Sequence, residues 1–95
     1  MIKTKGERVS PKEIENVLHD MDEIVEAAVI GVPDDIFGEA IKAFIVKNKK
    51  SNLNAKDVLK FCMKNLEPFM VPKYIEFKMI LQKTSNGKID KKVLD

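Results

Sequence analysis

The sequence predicts an α+β fold: a small mixed three-stranded sheet packed with helices and preceded by an N-terminal turn or short hairpin. Three observations carry this expectation. Two segments, residues 11–21 and 54–66, repeat apolar side chains at helical spacing behind recognisable caps. Three runs, residues 24–32, 41–46 and 74–77, are rich in β-branched, aromatic and small apolar residues and end at turn signals. Their order is strand, strand, helix, strand, which makes a hairpin of the first two and, through a right-handed crossover, sets the last parallel to the second. With 95 residues, 44% hydrophobic and 34% charged, the chain fits one domain. A domain of this size hides roughly 60–65% of the surface its unfolded chain exposes, enough for one modest core without disulfides or a structural metal.

At the start, Lys3-Thr4-Lys5-Gly6-Glu7-Arg8 is a basic turn in which Gly6 can take a positive φ or let a ligand approach the backbone. Ser10-Pro11-Lys12-Glu13 has the form of a capping box with proline at the first helical position, and Ile14, Val17, Leu18 and Met21 follow on one stripe. Glu15, Asn16, His19 and Asp20 fill the water-facing side. His19 is the only histidine, and no second His or Cys completes a metal set around it. Residues 24–32 carry Glu26 as their one charge and read as a well-buried strand that Pro33-Asp34 ends. A turn-rich loop containing Gly38 leads to the strand at 41–46, which the polar segment 48–52 closes.

Asn54 then caps a helix whose stripe is Ala55, Val58, Leu59, Cys62 and Leu66, with Lys56, Lys60 and Lys64 on another side. Cys62 lies on the core stripe without a partner base, so it reads as a small buried hydrophobe. Pro68 and Pro72 bracket a short connection to the strand at 74–77. From Gln82 to Lys88 no apolar side chain appears, so this is an exposed loop. Its Asn86-Gly87 pair predicts a type I′ or similar turn with Lys88 just beyond it. Residues 90–94 can make one closing helical turn.

Charge is distributed unevenly. Residues 1–40 hold four basic and ten acidic side chains, whereas residues 41–95 hold thirteen lysines and five acids. The C-terminal half is therefore an anion-facing candidate. Arg8 is the only arginine, so any bidentate grip on phosphate or carboxylate must come from it. The single cysteine excludes a disulfide framework and a Cys-based zinc site and suits a reducing compartment, the cytoplasm by default. The longest apolar run, residues 27–33, is far short of the roughly 20 residues a membrane span needs.

Three segments, taken together and in order, resemble one family. Residues 2–15, Ile-Lys-Thr-Lys-Gly-Glu-Arg-Val-Ser-Pro-Lys-Glu-Ile-Glu, look like the motif that follows the interdomain hinge of adenylate-forming enzymes. Those enzymes include acyl-CoA synthetases, adenylation domains of nonribosomal peptide synthetases, and luciferases. Residues 27–34 resemble that family's central strand and turn, and Lys83-Thr84-Ser85-Asn86-Gly87-Lys88-Ile89-Asp90 resembles the loop carrying its lysine. The likeness covers essentially the whole chain and is to the small C-terminal domain. Gln82 stands where the family usually has proline, and Lys91 where it usually has arginine.

The resemblance implies a two-step reaction in which a carboxylate and ATP form an acyl-adenylate and a thiol then displaces AMP. It implies Lys88 as the catalytic cation of the first step, Arg8 as a contact to the ATP phosphates, Gly6 and Lys5 beside the channel for the CoA pantetheine arm, and Thr84 and Gly87 as support for the lysine loop. ATP with Mg2+ and CoA would be used by the full enzyme, and this chain alone would bind none of them tightly. A large N-terminal adenylation domain with the phosphate loop and acyl pocket would be its partner. Two alternatives stand beside this reading. One keeps the family but delivers the acyl group to a carrier-protein phosphopantetheine. The other is a stand-alone basic module for nucleic acid or acidic partners; against it, the lysines are scattered, and one tyrosine with no tryptophan offers little base stacking.

Overall fold

The computed structural model describes residues 2–4, 6–36 and 38–94. In chain order its elements are β1 (Ile2–Thr4), β2 (Glu7–Val9), α1 (Pro11–His19), β3 (Ile24–Asp34), β4 (Gly38–Lys47), α2 (Ala55–Asn65) and β5 (Tyr74–Phe77), with 3-10 turns at Pro68–Met70 and Lys91–Val93. The class is the expected α+β.

β3 and β4 form a long antiparallel hairpin whose register runs from Ile24↔Lys47 to Asp34↔Gly38. Successive side chains of a strand point to opposite faces, so the hairpin separates two apolar layers. On one face Ala27, Val29, Ile41, Ala43 and Ile45 meet Ile14 and Leu18 of α1 and Val58 and Cys62 of α2. On the other, Ala28 and Phe44 are covered by Leu81, Ile89 and Leu94 of the C-terminal arm. Covering both faces explains why β3 and β4 read as nearly continuous apolar runs rather than alternating ones.

β5 lies parallel to β4, from Lys42↔Tyr74 to Ile45↔Phe77, as the crossover rule requires. The sheet nonetheless has five strands rather than three, in the order β2-β1-β4-β3 with β5 also on β4. The expected N-terminal hairpin joins it through Thr4↔Gly38. Its three-residue strands are too short to show a period, and half of their side chains are charged. Ile2, Thr4 and Val9 are nevertheless buried, and the Lys3 amide donates to Glu39 Oε1 at 2.9 Å.

Pro33-Asp34 does not end β3, which continues through both residues. β3 is the last strand in the sheet order, and an edge strand tolerates a residue that cannot donate. The expected Ser10 capping box is also absent: the Ser10 side chain makes no capping bond, and the Glu13 amide donates to the Ser10 carbonyl instead, at 3.2 Å. Proline fixes the first helical φ there without a side-chain cap. At α2 the box is complete, with the Asp57 amide donating to Asn54 Oδ1 at 2.9 Å and the Asn54 amide donating to the Asp57 carboxylate.

Candidate functional site

The exposed C-terminal arm changes direction at residues 83–89. Lys83 bridges Ile89 in antiparallel register. The Thr84 amide donates to the Lys88 carbonyl at 2.6 Å, and the Gly87 amide donates to the Thr84 carbonyl at 2.9 Å. This is a three-residue loop of Ser85, Asn86 and Gly87 rather than the two-residue type I′ turn expected from the sequence. Gly87 sits at φ +83°, the left-handed position such a loop requires. Thr84 supports the loop through its backbone. Lys88 emerges at the end of this turn, fully in solvent, and its ammonium forms no ion pair or hydrogen bond among the described residues.

Two neighbouring lysines behave differently. Lys83 pairs with Glu26 of β3 at 2.5 Å, and Lys91 pairs with Glu15 of α1 at 2.8 Å. The same Glu15 Oε2 accepts from the Val29 amide at 2.8 Å. Glu15 was expected to face water, but it covers the outer edge of β3 and is mostly shielded. Its position next to Ile14 on the helix made it look like part of the solvated side. Sequence reading thus missed four residues, Glu15, Glu26, Lys83 and Lys91. The one available signal was Glu26, the single charge in a buried strand.

Gly6 and Arg8 lie on the far side of the sheet from this hairpin. Gly6 turns β1 into β2 at φ +79°, and a Cβ there would meet nothing within 4 Å. Arg8 stands opposite Lys3 in the β1–β2 register and is exposed. Its guanidinium has no carboxylate partner among the described residues. Lys5, expected beside Gly6, lies outside the described residues. The structure therefore brings Thr84, Gly87 and Lys88 together and sets Gly6 and Arg8 apart from them, on the opposite flank.

The lysines of the β4–β5 region are engaged internally. Lys42 and Lys78 both contact Glu76, at 3.1 and 3.4 Å, and first the hydrogen bond from Lys42 and then that from Lys78 hold this carboxyl below its usual range. Lys73 pairs with Asp34 at 2.8 Å, and that bond raises the Lys73 ammonium. Among the described residues, five of the thirteen lysines of residues 41–95, namely Lys42, Lys73, Lys78, Lys83 and Lys91, thus pair with carboxylates, of which only Glu76 lies in the same half of the chain. Cys62 is fully buried on the helix side, and burial pushes its thiol up to about 11, far from thiolate chemistry at neutral pH. Among the described residues no group of three or more His, Cys, Asp or Glu is placed to hold a metal, and no helix is long and apolar enough to cross a membrane.

Comparison with known proteins identifies the family. Residues 13–88 match the family described as the AMP-binding enzyme C-terminal domain. A crotonobetaine/carnitine–CoA ligase of Proteus mirabilis is 47% identical over 94 residues, 99% of this chain and 18% of that protein. The crystal structure of apo MatB from Rhodopseudomonas palustris superposes with a TM-score of 0.93 at 39% identity, over 97% of this chain and 18% of its own. A Mycobacterium tuberculosis fatty acyl CoA synthetase gives 0.92 at 34% identity, over 99% and 18%. The chain spans under a fifth of the length of each of these.

Proposed function

The chain belongs to the family of AMP-binding enzyme C-terminal domains, and from that premise we propose that it is the lid of an ATP-dependent acyl-CoA synthetase, supplying a different face to each half-reaction. The observation that carries this reading is the separation of two exposed elements: the hairpin presenting Lys88 beyond the β3 edge, and the glycine turn with Arg8 on the opposite flank.

In the first half-reaction a carboxylate oxygen attacks the α-phosphorus of ATP, and the bond to pyrophosphate breaks. Two anions must approach each other. The Lys88 ammonium, a compact charge without a carboxylate partner among the described residues, offsets that repulsion in a site closed to water. Arg8 offers its planar fork to phosphate oxygens. In the second half-reaction the CoA thiol attacks the acyl carbonyl carbon as it gives up its proton, and AMP leaves. Rotation of the lid would withdraw Lys88 and bring the Gly6 turn, with Lys5, to the pantetheine arm. The open space around the Gly6 α-carbon suits close passage of such a chain. Mg2+ would accompany the ATP phosphates, which together with waters supply most of its oxygen ligands. Free CoA is favoured over a carrier protein as acceptor because the relatives named above include CoA ligases. A cytoplasmic setting follows from those substrates.

Removal of this domain tests the reading. A full-length ligase truncated just before it should still bind ATP, yet release pyrophosphate roughly 10²-fold more slowly, the scale of losing a main electrostatic stabiliser. The isolated 95-residue chain should show no tight ATP binding. Full-rate pyrophosphate release by the truncated enzyme, or tight binding by the isolated chain, contradicts it.

A further inference from the structure

We propose that Lys83–Glu26 and Lys91–Glu15 are positioning pairs that set the direction in which the hairpin presents Lys88, an inference that rests on the adenylation role given to Lys88 above.

The bonds within the hairpin, from Thr84 to Lys88 and from Gly87 to Thr84, fix its shape but not its orientation. The Asp90 amide donates to the Gln82 carbonyl and extends the same internal ladder. Below it, Leu81, Ile89 and Leu94 anchor the arm on Ala28 and Phe44. Apolar contacts are non-directional, and a lone two-stranded hairpin is only marginally stable, so without further ties the arm would tilt and its internal bonds would open more often. The two ion pairs are the directional ties. One fastens the first strand of the hairpin to β3, and the other fastens the segment just after it to α1 across the β3 edge. Glu15 is itself fixed, because its Oε2 also holds the Val29 amide.

The pairing also sorts the charges. Lys83, Lys88 and Lys91 lie within nine residues and carry the same sign. Neutralising the outer two on glutamates leaves Lys88 at the turn, with Lys92 further along the arm, without an ion pair among the described residues, and removes two competitors for any phosphate that Lys88 meets. In each pair the lysine is exposed and the glutamate partly buried; pairs of this kind contribute little to global stability but can still bias the tilt of an arm held otherwise by apolar contacts. A displacement of about 1 Å in a group acting on the transition state costs up to 10²-fold in rate.

The experiment uses a full-length ligase bearing this domain. Lys83→Met/Lys91→Met removes both ties. Glu15→Gln/Glu26→Gln removes the charges while keeping an acceptor for the Val29 amide. Glu26→Lys/Lys83→Glu reverses one pair. The two deletion variants should lose about 10-fold in kcat for ATP–pyrophosphate exchange, with KM for ATP within about twofold, because the interaction acts in the transition state. Thioester formation from supplied acyl-adenylate should be unchanged, and deuterium exchange in the peptide covering residues 82–90 should be faster. Glu26→Lys alone and Lys83→Glu alone should each lose rate and protection, and the reversed pair that combines them should restore both. Wild-type exchange and wild-type adenylation in folded deletion variants would overturn the proposal, as would a loss that the reversed pair does not restore. Lys88→Ala, run in parallel, separates the two claims: if it adenylates normally, the role of Lys88 fails, and deuterium exchange alone then decides whether the pairs hold the hairpin.

Discussion

Lys83 and Lys88 are five residues apart in one polar loop, and composition gives no reason to tell them apart. Their surroundings do: one is tied to Glu26, the other ends a left-handed turn in open solvent. Gly6 shows the same dependence on conformation. At φ +79° an L side chain is strained by about 1–2 kcal/mol, whereas space within this domain is ample. Gly6→Asn should therefore leave the melting temperature within a few degrees of wild type, since asparagine tolerates this region, and Gly6→Leu should lower it measurably. Thermal unfolding of the two variants checks this. At Cys62 the reference thiol pKa of 9.0 rises to about 11 in the fold. The folded state holds the proton more tightly than the unfolded one, so this stabilisation is complete below pH 9 and lost as pH climbs toward 11. The loss is on the order of 2 kcal/mol. Urea unfolding from pH 8 to 11 should show a steeper decline for wild type than for Cys62→Ala, which carries the same lysines but no thiol. Equal slopes would contradict it.

Element by element, what the sequence revealed followed from periodicity and caps. β5 begins and ends where its apolar run does, and α2 starts at the predicted Asn54. The burial of β3 was legible as a near lack of charge along residues 24–32, whereas the second apolar layer over Ala28 and Phe44 was not. The features it hid were those that depend on distant partners: the joining of β1 and β2 to the sheet, the passage of β3 through Pro33, and the use of Glu15 to cover a strand edge. None leaves a local pattern. Gly31 is one such case. A Cβ there would lie 2.7 Å from Glu39 Oε2 and 3.2 Å from Ile2 Cγ2, so the absence of a side chain admits the carboxylate that holds the Lys3 amide. Gly31→Ala should cost about 1 kcal/mol, the value of that bond, and speed amide exchange at Lys3 while leaving α2 protected. At the other helix, Asn54→Ala should cost about 1 kcal/mol by removing the cap of α2. Chemical denaturation of both variants tests the two figures.

On the scale of the whole molecule, the proposed lid role asks one small domain to serve two chemical steps, and the strand order is compatible with that. The sheet order β2-β1-β4-β3 places the glycine turn and the lysine hairpin on opposite flanks of the sheet, so in the proposed mechanism a rotation of the domain would exchange one for the other without refolding either. The residues of the candidate site were legible through the resemblance of three ordered motifs, because a glycine turn or a lysine after Asn-Gly taken singly is common in any fold. Their opposition across the sheet was not, since it depends on strand order. The central claim is that the two flanks act in different half-reactions. Its most direct test measures pyrophosphate release and thioester yield separately in a full-length ligase carrying Lys88→Ala or Gly6→Asn. Lys88→Ala should lower adenylate formation by about 10²-fold and spare thioester formation from supplied acyl-adenylate, whereas Gly6→Asn should do the reverse at an unchanged melting temperature. Equal loss of both steps in both variants would contradict the account and point to a general failure of the domain to dock.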